Sequence, residues 1–176
     1  MSELRISREK GRKPTKCILH KVADIPGGVG IDPTTLEADY LLEGTPLKQG
    51  KGGLYEVVVN VTLSANATVE ATTINVLKGS HVKIGTQLLG ATVTAVDKSK
   101  DDFDTLTLDK ALSKAVVKGE VIGENKGVIA ICGEEHNVKD KGNVFVSAWV
   151  IAVVQNSNCP QLTSAQKSSA PTLVYV

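Results

Sequence analysis

A chain of 176 residues is long enough to bury most of the apolar surface its unfolded form exposes, so it needs no disulfides to fold. Its 20 Lys and Arg nearly cancel its 19 Asp and Glu, which argues against a uniformly basic nucleic-acid coat, and 3% aromatics leave few stacking platforms for single strands. No apolar run approaches a membrane span of ~18 residues, and the basic start MSELRISREKGRK lacks the apolar stretch of a signal peptide.

Three parts follow along the chain. Residues 1–53 read as an arm, first basic and then rich in Gly and Pro. Residues 1–21 hold seven Lys/Arg and two Glu, net +5, whereas the other 155 hold 13 positive and 17 negative side chains, net −4. That asymmetry suggests a basic arm suited to an acidic partner surface. Ile25-Pro26-Gly27-Gly28-Val29-Gly30 is loop chemistry, and Asp32-Pro33 starts another turn.

Residues 54–154 read as the folded body. Val and Thr, 23 and 15 residues, favour pleated and half-buried surfaces, and glycines fall between apolar stretches where turns would sit. Tyr55 to Leu63 alternates apolar with polar and predicts one strand. Ile74–Val76, Val82–Ile84 and Thr92–Val96 predict three more, and Asp104–Asp109 another, with Leu106 and Leu108 inward. Ala111–Val117 fits one or two helical turns, and Glu120–Ile122 follows a turn at Gly119. Val128–Cys132 is apolar on both faces and predicts a central strand. Val144–Val154 predicts one long strand, interrupted by Ser147 and containing Trp149, a core residue by its neighbours. Residues 155–176 form a polar tail ending in Leu173-Val174-Tyr175-Val176, which either adds a strand to another subunit or docks on its own body. The expected class is all-β, a small barrel or sandwich of short strands with an extended N-terminal arm and a polar C-terminal tail.

Chemical motifs are weak. Gly27-Gly28-Val29-Gly30 runs into Asp32-Pro33 instead of opening a helix, so it is no dinucleotide fingerprint. Gly44 to Lys51 misses the P-loop spacing by one, and Gly52 stands where a magnesium-binding Ser or Thr belongs. Three cysteines, Cys17, Cys132 and Cys159, are too few and too scattered for a disulfide framework. Cys17-x2-His20 and Cys132-x3-His136 hold zinc-ligand residue types, but far apart in the chain; burial as small hydrophobes is the plainer reading. The same residues also offer a Cys–His nucleophile and base, with Cys132 and His136 the pair a hydrolase would use. Asp97, Asp101, Asp102 and Asp104 cluster at a turn, but the Gly and Glu of a calcium loop are missing. No metal, no cofactor and no catalytic residue are therefore expected, and an enzyme is the minority reading. Phe103 beside Asp101, Asp102 and Asp104 is the candidate exposed contact for a host-surface glycan.

A family resemblance lies in the rhythm of turns and strands. It runs through Val76-Leu77-Lys78-Gly79-Ser80-His81-Val82-Lys83-Ile84-Gly85-Thr86-Gln87-Leu88-Leu89 and continues to Val117-Lys118-Gly119-Glu120-Val121-Ile122. Upstream, Leu42-Glu43-Gly44-Thr45-Pro46-Leu47 introduces it. This pattern resembles small β-barrel modules of tailed-phage structural proteins, especially head-fibre or capsid-decoration proteins of phages and prophages, over Ala38 to Val154. The same rhythm resembles biotinyl and lipoyl carrier barrels, but no Met-Lys-Met or Asp-Lys-Ala hairpin is present to carry the modified lysine. The phage resemblance implies a virion structural protein on the head surface, made in the host cytoplasm, homo-oligomeric with a trimer as the expected form. It implies the major capsid protein as partner, and no nucleic acid or membrane. Arg5, Arg8, Lys10, Arg12, Lys13 and Lys16 are the side chains expected to dock on the shell. A module that binds host-surface glycans is the alternative, and a Cys132–His136 hydrolase comes after it.

Overall fold

The computed structural model describes residues 16–140 and 142–176. Its strands are β1 (Ile18–Asp24), β2 (Val29–Ile31), β3 (Tyr40–Leu41), β4 (Pro46–Gln49), β5 (Tyr55–Val57), β6 (Asn60–Thr62), β7 (Thr73–Leu77) and β8 (Gln87–Leu88). They continue with β9 (Ala91–Asp97), β10 (Phe103–Leu108), β11 (Val121–Gly123), β12 (Ala130–Cys132), β13 (His136–Asn137), β14 (Val144–Val146), β15 (Ala148–Val154) and β16 (Leu173–Tyr175). One short helix, α1 (Ser164–Ser169), and a 3-10 turn at Pro33–Thr35 complete the described elements. The molecule is all-β, with curled sheets that form half-barrels, as the composition predicts.

Two lobes are nested in one another along the chain. The outer lobe is an eight-stranded sheet in the order β1-β15-β12-β4-β5-β2-β14, with β16 running parallel to β15. Its central strand β12 is buried on both sides: Ala130 and Cys132 face one apolar cluster with Leu41, Leu47 and Val146, and Ile131 faces another with Ile18, Val154 and Leu173. The inner lobe is inserted between β5 and β12. It comprises the sheet β7-β10-β9-β8 and the pair β6–β11, joined by an isolated bridge between Leu63 and Val76. Leu63, Ile74, Val76, Leu88, Leu106 and Ile122 fill it.

Entry and exit of the insertion lie side by side. The Glu124 N–H donates to the Val59 carbonyl at 3.0 Å, and the Val59 N–H donates to the Glu124 carboxylate at 3.1 Å. Here the single strand expected over Tyr55–Leu63 is corrected. It breaks where Val57, Val58 and Val59 are buried in succession, which one strand with one wet face cannot do, and the chain passes from the outer lobe to the inner one.

Further expectations are corrected by the same topology. Residues 18–53 are no separate arm, because β1 to β4 are members of the outer lobe, its short β3–β13 ladder included. The long strand over Val144–Val154 divides at Ser147: β14 pairs with β2, while β15 pairs with β1 and β12. Val82–Ile84 is not a strand but leads into a turn closed by the Thr86 N–H on the Lys83 carbonyl, with Ile84 67% exposed. Gly85 and Gly90 take φ of 91° and 82° with open space around a would-be Cβ, so they serve turns. Ala111–Val117 forms no helix; Val116 bridges to Ala67 and its side chain enters the inner core.

The tail docks on its own body. Residues 155–176 wrap back through α1 to lay β16 beside β15. Cys17 and Cys159, 142 residues apart in sequence, are joined by a disulfide with Cα atoms 5.0 Å apart. The scattered spacing that argues against a disulfide framework concealed one bridge, because the fold returns the tail to the start of β1.

Candidate functional site

The residues of the expected shell-docking set divide at the first described position. Arg5, Arg8, Lys10, Arg12 and Lys13 lie outside the described residues. Lys16 is exposed, and its carbonyl accepts the Asn158 side-chain amide at 3.3 Å.

The acidic turn between β9 and β10 splits by direction. Asp101 and Asp102 are exposed at its tip, and Phe103, which opens β10, is half-buried opposite Leu77. Asp104 does not belong with them. It points inward with Leu106, is 3% exposed, and meets Lys78 Nζ at 2.9 Å. The alternation of β10 explains this: one residue on from Phe103 faces the opposite side. The exposed glycan contact expected of Phe103, Asp101, Asp102 and Asp104 is thus reduced to the two aspartates at the tip and part of the Phe103 ring.

Asp104 instead helps line a cleft of about 290 Å³ between the lobes. Lys78 and Lys98 enter it from the inner lobe, and Glu37, Asp39 and Tyr40 from the outer one. The cationic groups there are engaged: Lys78 also donates to the Lys98 carbonyl at 3.1 Å, and Lys98 Nζ donates to the Glu37 carbonyl at 3.1 Å. Close by, His81 also fastens the lobes together. Its Nδ1 accepts the N–H groups of Glu37 and Ala38 at 3.1 and 3.2 Å, so the ring is held neutral. Burial pushes its pKa down to about 4; a backbone hydrogen bond at Tyr40 and the Glu37 charge act against that, and Lys98 adds to it.

A larger open groove of about 1100 Å³ runs between the β8–β9 turn, β11 and the start of α1. Its charged side chains cancel in pairs, Lys114 with Glu120 and Lys126 with Glu124, each at 2.6 Å. Such a lining offers neither a net field nor a free acid or base.

Cys132 and His136 are not arranged as nucleophile and base. Cys132 is fully buried, its thiol donates to the Glu134 carbonyl at 3.1 Å, and burial pushes its pKa up to about 12. His136 Nε2 faces the Glu134 carboxylate at 3.4 Å instead. Cys17 is committed to Cys159, which dissolves the Cys17–His20 half of a zinc site. No group of three His, Cys, Asp or Glu placed to hold a metal occurs among the described residues.

Several exposed apolar side chains lie on the outer sheet. On β15 and its neighbours, Ala23 pairs with Ile151, and His20 and Val174 both pair with Val153. Paired residues share a face, so His20, Ala23, Ile151, Val153 and Val174 make one outward strip, apolar except for His20, with Ile151 39% and Val174 52% exposed and Ala23 and Val153 half-buried. Along the edge strand β1 the pairing slips at Leu19 and at Val22, and both bulged residues are more than half exposed. At the far edge Phe145 is 63% exposed and packs over Gly28, where a Cβ would come within 2.8 Å of the ring. Sequence reasoning missed Phe145, although Gly28 and Gly30 opposite β14 were its signal. Trp149 is only half-buried, packs against the second apolar cluster and lies under Lys21 Nζ, 5.2 Å from the ring centre.

No helix among the described residues is long and apolar enough to cross a membrane. The chain matches no family model, no curated protein and no solved structure.

Proposed function

We propose that this chain is a structural protein of a tailed-phage particle, attached to the outside of the head as a fibre or decoration and acting as a homotrimer without catalysis. The outward strip of Ala23, Ile151, Val153 and Val174 is the observation that carries this reading, since a second copy seated there would remove a row of apolar side chains from water. The engaged state of the charged groups in both clefts supports a role in adhesion over one in chemistry. Arg5, Arg8, Lys10, Arg12, Lys13 and Lys16 dock on acidic patches of the major capsid protein, a contact steered by charge and weakened by salt.

Co-sedimentation with purified heads built of the major capsid protein tests this. The full chain binds saturably at low salt and is released at high salt, and replacing the five arm cations before Lys16 by Ser abolishes binding. A full chain that stays in the supernatant at every salt concentration overturns the reading.

A further inference from the structure

We propose that the Cys17–Cys159 bridge is a redox-controlled clasp, which locks residues 159–176 onto the body of the protein in oxidising surroundings and lets them open in reducing ones.

The bridge sits where three segments meet. Cys17 N–H donates to the Glu43 carboxylate at 2.7 Å, and the Cys17 carbonyl accepts the Gln155 N–H at 2.8 Å. Gly44, with φ of 83°, passes so close that a Cβ there would collide with both sulfurs. The site is therefore shaped around the joined pair, and the backbone at Gly44 leaves no room for a side chain beside it.

What hangs from the clasp is held by short-range contacts. The Asn60 and Gln166 side-chain amides donate to each other reciprocally at 2.8 Å. Ser169 Oγ accepts the Val128 N–H at 2.9 Å, and β16 pairs with β15 over three residues. Leu162, Ala170 and Leu173 are the apolar anchors. This is a short helix and one short strand, a segment that opens locally at modest cost once it is no longer tethered. The sequence places the tether at the first residue of the segment, so it limits the opening of everything after it.

Closure needs an oxidant, and a small-molecule disulfide of the glutathione class supplies it. The Cys159 thiolate, the slightly more exposed of the two, attacks that disulfide and expels one thiolate. The Cys17 thiolate then attacks Cys159 sulfur and expels the second. Two electrons and two protons pass from the protein to the small molecule, and a dithiol reverses the sequence. Cys132 takes no part, being fully buried with its thiol pushed up to about 12. Disulfides persist outside reducing cytoplasm, so the clasp closes after release from it.

Hydrogen exchange read by mass spectrometry on the intact full chain tests this, oxidised and after dithiothreitol. Amides of residues 164–175 exchange at least about tenfold faster when reduced, while those of β7, β9 and β10 in the inner lobe are unchanged. The Cys17→Ser, Cys159→Ser double variant reproduces the reduced pattern without reductant. Equal exchange of residues 164–175 in both states overturns the proposal. So does a uniform acceleration that includes the inner lobe, since that would make the bridge a staple of the whole fold.

Discussion

His81 shows how one buried side chain ties sequence to behaviour. Its ring, 6% exposed, must stay neutral to accept two backbone N–H groups from the opposite lobe. The unfolded chain protonates this ring near its ordinary value of 6.5, whereas the folded one resists until about 4. Below pH 6.5 the unfolded state therefore binds the extra proton, and stability is complete above that value. The His81 contribution declines as pH falls toward 4 and levels off below it, a loss of about 3 kcal/mol. Urea midpoints taken between pH 7 and pH 5, above the range where the carboxylates titrate, will show this decline, and it will be much smaller in His81→Asn. Nothing in the run Lys78-Gly79-Ser80-His81 marks the histidine as buried, because its partners are backbone groups more than forty residues away. Asp104 was hidden differently. It stands in an acidic run, but alternation along β10 turns it inward to Lys78 while Asp101 and Asp102 remain in water.

At the scale of elements, strands with one wet face were legible and those that change partners were not. Leu106 and Leu108 alternate with threonines and lie where that alternation puts them. Val57-Val58-Val59 and Ser147 break the pattern, and each marks a passage from one sheet partner to another. Local periodicity carries no information about which sheet comes next, so the insertion was invisible from sequence. Because Val59 and Glu124 meet across the base of the insertion, the outer lobe is contiguous without it. Replacing residues 60–123 with a short Gly-Ser linker will leave a folded outer lobe with the Cys17–Cys159 bridge intact. Thiol titration in the folded state will find no reactive group, and a single one, Cys132, on unfolding. Three titratable thiols would show that the outer lobe depends on the inner one.

The whole molecule joins two curled sheets whose outward apolar side chains are not spent inside one copy. The edge strand β1 resists uncontrolled strand pairing through its two bulges, and the sheet face is the surface we propose for self-assembly. Static light scattering on the full chain, diluted through the micromolar range, tests self-assembly most directly. A mass near three times 18.6 kDa is expected, falling to a single copy when Ile151 and Val174 are both replaced by Lys. A mass of one copy at every concentration would contradict assembly through this face.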